Sequence, residues 1–156
     1  MENSATSTLT TKIINRHVML AGGAGFIPIP LLDIAAVTAI QLDMMRQLFR
    51  HYGQRFQDSK GKNWVAAFSG SLMARIGAEA FKLIPGIGSV IGGVSMAALS
   101  GATTYGIGKV MVSHFEKGGT VFDFNPEDYR EEFEQRKTEG KEVVDELKDE
   151  QSRALR

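Results

Sequence analysis

The sequence predicts an all-α fold: two glycine-rich helical hairpins with Ile-Pro turns form a body, and a charged C-terminal helix follows. Three observations carry this. Ile27-Pro28-Ile29-Pro30 and Ile84-Pro85-Gly86-Ile87-Gly88 interrupt long helical patterns, and proline also disfavours helical geometry in the residue before it. Small residues recur every four positions on the segments flanking the second turn, which places them on one helix face. No convincing run alternates apolar and polar residues as a strand would.

Residues 1–10, rich in Ser, Thr and Asn, read as a disordered N-terminus. From about Thr11, the apolar residues Ile13, Ile14, Val18, Met19 and Leu20 mark a first helix that runs into Ala21-Gly22-Gly23-Ala24-Gly25 and stops at Pro28 and Pro30. From Leu31 to Tyr52, Ile34, Val37, Thr38, Met44, Met45, Leu48 and Tyr52 share one broad face, opposite Asp43, Arg46, Gln47 and Arg50. That is an amphipathic helix, and Gly53 is a suitable stop.

After the polar connector 54–62, a third helix is predicted from about Asn63 to Leu83. Its Ala66, Gly70, Ala74 and Ala78 form a stripe of small residues, answered by Ser89, Gly93, Ala97 and Gly101 on the fourth segment. Such stripes let helix backbones approach closely, so the third and fourth helices are expected to pack as an antiparallel hairpin turned at Pro85, Gly86 and Gly88, or to serve self-association. The two halves share a pattern of glycine-rich helix, Ile-Pro turn and returning helix with basic residues near its end, a repeat of pattern rather than of identity. Together they make a two-hairpin body over residues 11–118.

At Lys117-Gly118-Gly119 the character changes, and residues 119–156 read as an extended linker and an acidic C-terminal helix. Thr120-Val121-Phe122-Asp123-Phe124 alternates as a short extended segment would. A helix start follows: Asn125 as N-cap, Pro126 at the first position, Asp128 able to return a contact, and Phe124 with Tyr129 placed as a hydrophobic staple. The helix beyond carries only Tyr129, Phe133, Val143, Val144 and Leu147 as an apolar stripe. It reads as a solvated extension or as a reversibly docked, partner-seeking helix.

At 156 residues the chain is about one domain, with a formal net charge of zero that arises by cancellation. Residues 1–118 carry eleven Lys/Arg against six Asp/Glu, and 119–156 carry seven against twelve. The absence of cysteine excludes disulfides, thiolate metal sites and a cysteine nucleophile. The polar N-terminus does not have the basic and apolar regions of a secretory signal. The mild, dispersed positive charge comes with no recognised reader motif, so nucleic acid is not expected as a partner.

The stretches GFIPIPLLDIAAVTAIQLDMMRQLFRHYG and KLIPGIGSVIGGVSMAALSGATTYGIGKVMVSHF resemble the YcjF-like, GTPase-associated helical family of unknown function. The resemblance covers roughly residues 13–118 and rests on Pro28, Pro30, Asp33, Gln41, Met45, Tyr52 and Gly53, then Pro85, Gly86 and Gly88. It implies a bacterial helical, membrane-associated module working with a nucleotide-driven partner, and no established chemistry. The sequence departs from the fused arrangement by carrying no GTPase domain, so the resemblance implies a separate GTPase.

No motif points to a reaction, and neither enzyme activity nor a cofactor is expected. The spacing of Gly101 and Gly106 matches a phosphate loop, but Ile107 and Gly108 stand where lysine and a hydroxyl residue are required. His17, His51 and His114 lie far apart without ligand partners at helical spacing, so no metal site is expected.

Asp33 interrupts an otherwise uncharged run from Val18 to Leu42. It reads as a carboxylate stabilised at a helix start by free amides, with an intramembrane residue lining a water path as the alternative. Gln41 reads as a buried helix-to-helix hydrogen-bonding group. Leu83 to Gly108 is a twenty-six-residue run without charge, long enough to span a bilayer, but Arg75, Glu79 and Lys82 just before it make a simple four-span protein costly. Basic residues gather at the roots of both hairpins, which under the positive-inside rule places the roots on the cytoplasmic side of the inner membrane face.

The function expected is therefore a non-enzymatic, membrane-associated, self-assembling adaptor or scaffold. Its expected partners are further copies of itself, membrane lipid and a separate GTPase. A soluble homo-oligomeric scaffold, and more remotely a pore or small-molecule carrier using Asp33 and Gln41, are the competing readings.

Overall fold

A computed structural model of the chain describes residues 2–24, 30–80 and 96–156. Five α-helices account for most of them: α1 Glu2–Ala24, α2 Pro30–His51, α3 Asp58–Ala80, α4 Met96–Glu116 and α5 Arg130–Ala154, with a single 3-10 turn at Pro126–Tyr129 before α5. Among the described residues there is no strand, so the fold class is all-α.

The N-terminus departs from the expected disorder, because α1 begins at Glu2. Its serines and threonines are held inside the helix: the Thr10 hydroxyl lies 3.1 Å from both the Thr6 and the Ser7 carbonyl oxygens, and Thr10 is buried. A hydroxyl that bonds back into the preceding turn satisfies itself without leaving the helix. Proline opens α2, where its missing N–H costs nothing. Gly53, with a φ of 65°, ends the turn after α2 in the left-handed region that glycine tolerates.

Helix α4 is the hub. Its glycines admit neighbours on two sides: Gly101 and Gly108 lie against Val18 and Ile14 of α1, whereas Gly106 lies against Phe133 of α5. Gly22 of α1 in turn lies beside the Ala97 carbonyl, so α1 and α4 run antiparallel. While α5 advances from Phe133 to Val144, its contact on α4 retreats only from Gly106 to Gly101, and the two helices cross steeply. The close crossing is completed from the other side by Gly140, which leaves room for Ala102 and Tyr105.

Three expectations are corrected here. The most extensive packing of α4 among the described residues is with α5 and α1, and its contact with α3 is slight. Ala66 and Gly70 of α3 are exposed, and a Cβ at Gly70 would meet nothing, so these two do not carry an α3–α4 contact. Nor is α5 a solvated extension: Phe133 and Val144 are 1% and 2% exposed and belong to the same core as α1, α2 and α4. The segment after Gly119 is also not extended. The Asp123 carboxylate accepts from both the amide and the hydroxyl of Thr120, closing a turn that buries Val121 and Phe124 and leaves Phe122 outside.

The sequence signature of a helix start is met by the 3-10 turn that leads into α5, which itself begins four residues later, at Arg130, without a side-chain cap. Asn125 Oδ1 accepts from the Glu127 amide, its Nδ2 donates to Asp128, and the Phe124 ring stacks on Tyr129 with centroids 5.2 Å apart. Behind this junction a ring cluster fills the root of the bundle. Phe49 meets Phe115 edge-on at 4.9 Å and stacks on Trp64, Trp64 meets Phe124 at 4.9 Å, and Phe68 meets Phe133 at 4.7 Å. Edge-on and offset ring pairs of this kind add to what their buried area supplies.

Candidate functional site

The polar groups inside the bundle come from helix faces that are otherwise apolar, and each is placed by the core packed around it. On α1, His17 is 1% exposed. Its Nδ1 lies 2.7 Å from the Ile13 carbonyl oxygen and its Nε2 lies 3.0 Å from Asp43 Oδ2 on α2. Both oxygens accept, so this pair of bonds is complete when both ring nitrogens carry protons. The same Asp43 oxygen accepts from Gln47 Nε2 at 2.8 Å. The His17 bond, against the opposing effect of burial and with further help from Gln47, holds the Asp43 carboxyl below the usual aspartate range.

One turn further into the bundle, Gln41 is 1% exposed and donates from Nε2 to Thr104 Oγ1 at 3.2 Å. The Thr104 hydroxyl in turn donates to the Ser100 carbonyl oxygen at 2.8 Å. Gln41 Oε1 and Thr103 Oγ1 are buried without a hydrogen-bond partner among the described residues. The α1, α2 and α4 helices are thus tied together by a polar layer in an apolar interior.

A second polar cluster sits at the root. His114 of α4 is buried, with Nδ1 2.9 Å from the Tyr129 hydroxyl and Nε2 2.9 Å from the Thr120 carbonyl. Here a neutral ring suffices, because Nε2–H donates to the carbonyl while the phenol donates to Nδ1. Asp123 Oδ1 stands 3.5 Å from the same Nε2. Its bonds to the Thr120 hydroxyl and amide hold the Asp123 carboxyl below its ordinary value. Burial pushes the Tyr129 phenol up. Gly119 packs so closely on the His114 ring that any side chain there would displace it. An open polar recess of about 390 Å³ faces this cluster, lined by Lys117, Asp128 and Glu132 among others.

In both clusters each ring nitrogen of the histidine lies within hydrogen-bond distance of a partner in the fold. Among the described residues no group of three or more His, Cys, Asp or Glu side chains could hold a metal ion.

Of the sequence-predicted residues, Ala97 and Gly101 are buried on α4 facing α1, and Ala66 and Gly70 are exposed on α3. Ala74 and Ala78 lie on α3, and Pro30 and Asp33 in the first turn of α2, with their side chains outside the described residues. Pro28, Pro85, Gly86, Gly88, Ser89 and Gly93 lie outside the described residues altogether. What sequence reasoning missed is the pairing of His17 with Asp43 and of His114 with Tyr129. The former spans 26 positions, beyond any helical period; the latter hides behind the staple motif that places Tyr129.

The outer surface is the remaining feature. Leu20 and Ile34 are 48% and 43% exposed, near the end of α1 and the start of α2. Among the described residues no helix is long and apolar enough to cross a membrane.

Comparison with known proteins adds two matches. A family model described as a domain of unknown function (DUF697) matches residues 3–142. Magnetosome membrane protein 22 of Magnetospirillum gryphiswaldense is 37% identical over 141 residues, covering 87% of this chain and 72% of that protein. No solved structure matches.

Proposed function

The chain belongs to the uncharacterised helical family described as a domain of unknown function (DUF697), and from that membership we propose that it is a non-enzymatic, membrane-associated adaptor or scaffold. The observation that carries this reading is the exposure of the large apolar side chains Leu20 and Ile34 on stretches of α1 and α2 beyond His17 and Asp43 whose only charged residue is Asp33. Exposed apolar surface of this kind marks a site of lipid or protein contact. The name of the magnetosome relative supports the choice of lipid. The basic roots at Lys12, Arg16, Arg50, Arg55 and Lys62 favour an anionic surface and the cytoplasmic side of a membrane.

Flotation with vesicles tests it. Purified chain should rise with vesicles containing anionic lipid, and more weakly with neutral ones. A protein that stays at the bottom in every composition, without detergent, is a soluble scaffold instead.

Two finer parts of the proposal rest on other grounds. The YcjF-like resemblance supports a separate GTPase as partner, to be tested by whether a nucleotide-binding protein is retained on the immobilised chain differently with GTP and GDP. The exposed Ala66 and Gly70 of α3 support self-association through that helix, where a second backbone could approach. Light scattering on the wild type and on Gly70→Leu separates a homo-oligomer from a monomer.

A further inference from the structure

Burial changes abruptly along α2. From Ile34 to Ile40, the run Ile-Ala-Ala-Val-Thr-Ala-Ile, not one residue is buried, although six of the seven are apolar. From Gln41 onward the helix enters the core, with Leu42, Met44, Met45, Leu48 and Phe49 all buried. Among the described residues, these two apolar turns of helix are left without a buried position. On α1 beyond His17 only one side opens: Leu20 and Gly23 face outward and a Cβ at Gly23 would meet nothing, while Val18, Ala21 and Gly22 stay buried.

The level is defined by a contact. His17 and Asp43 meet at 3.0 Å and pin the two helices side by side. Beyond that pair, neither α1 nor α2 carries a charge except Asp33; on the other side of it stand Arg16, Lys12, Arg46 and Arg50. At 1.5 Å per residue, the band from Asp43 to Ile34 is about 14 Å deep, and that from His17 to Gly23 about 9 Å. Such a band matches half of a hydrocarbon core of about 30 Å and falls far short of crossing it.

Resting on the membrane reading above, we infer that the chain seats the Leu20 and Ile34 face in a single leaflet, with the His17–Asp43 pair at the level where the helices leave the hydrocarbon. The bilayer is the occupant that this surface fits: it needs apolar contact without a shaped pocket, and Arg16 stands next to the boundary at headgroup height.

The test exploits a chain without cysteine, so that single cysteines can each carry an environment-sensitive fluorophore. Leu20→Cys and Ile34→Cys probe the face; Lys12→Cys and Arg50→Cys, on the far side of the boundary, are controls. With phosphatidylcholine–phosphatidylglycerol vesicles, emission at positions 20 and 34 should rise several-fold, position 20, about 5 Å past the boundary, being quenched best by nitroxides high on the acyl chain and position 34, about 14 Å past it, by nitroxides near the chain end. Positions 12 and 50 should stay aqueous. The double variant Leu20→Glu with Ile34→Glu should lose vesicle binding at least tenfold while keeping its circular dichroism spectrum and melting temperature, since both positions are exposed.

Four results would overturn the inference. Flotation with positions 20 and 34 still aqueous leaves membrane association standing and removes this face from it. Position 20 quenched from as deep as position 34 means that the His17–Asp43 pair does not mark the boundary. A response at 20 and 34 without vesicles, growing with protein concentration, assigns the face to a second copy. Absence of flotation in any lipid removes the membrane reading together with this one.

Discussion

A Cβ placed on Gly140 of α5 would lie 2.9 Å from the Ala102 carbonyl oxygen of α4, closer than such atoms approach, so the glycine sets the distance at which the last helix crosses the hub. Because the obstacle is backbone, it cannot swing away. Gly140→Ala should therefore destabilise the fold by about 1–3 kcal/mol despite the better helix propensity of alanine. Gly70→Ala is the counterpart: space there is open, and the same change should stabilise by about 0.5–1 kcal/mol. Urea denaturation of the two variants reads both signs.

Phe133 tests whether α5 belongs to the core. It is 1% exposed and packs on Gly106 and on the Phe68 ring. Phe133→Ala should cost about 3–5 kcal/mol. Removal of residues 126–156 should go further and abolish cooperative melting of the remaining helices. A truncated chain that melts as the intact one does would show that α5 is merely docked.

The Gln41–Thr104 bond should be asymmetric under mutation. Gln41→Met removes a buried amide whose Oε1 has no partner among the described residues, and Thr104 keeps its bond to the Ser100 carbonyl, so the change should stay within about 1 kcal/mol. Thr104→Val strands the Gln41 amide in an apolar interior and should cost about 1–3 kcal/mol. Thermal melts of the two single variants decide the order.

Acid should loosen the α1–α2 contact. The Asp43 carboxyl is held below its ordinary value in the fold, so its contribution is present above the unfolded value of about 3.9 and is lost as pH falls through the lower folded value. Since Asp43 is 55% exposed, solvent screening keeps that contribution under about 1 kcal/mol. Asp43→Asn should flatten this part of the stability profile, measured by urea midpoints from pH 5 downward.

At the alkaline end Tyr52 should dominate. Burial, reinforced by the nearby Glu116 carboxylate, pushes its phenol up to about 12 from 10.0. The stability it contributes is intact below pH 10 and is lost as pH rises through about 12. Ultraviolet titration of the phenols should show the last ionisation near pH 12, and Tyr52→Phe should remove that final step.

Local rules were legible in the sequence wherever one helix or one turn settles the matter. The proline at the start of α2, the stop at Gly53 and the Asn125 cap with its Phe124–Tyr129 staple depend on residues within four positions of each other, and sequence states those directly. The core face of α2 from Met44 to Leu48 is legible for the same reason, since a helical period names a face.

A period does not name what the face meets. Gly101 of α4 read as part of a seat for α3, yet it receives Val18 and Val144, because small residues permit close approach to any helix of suitable shape. The stripe of α5 looked too thin to bury, but a helix that crosses steeply at glycine needs only a few deep side chains to join a core. His17 found Asp43 across 26 positions and His114 found Tyr129 across 15, distances at which chain order carries no geometric information. Helix type, ends and apolar faces were therefore set by neighbours in sequence; the choice of partner for each face was made only by packing, where shape and the need to satisfy buried polar groups act between segments that the sequence does not order.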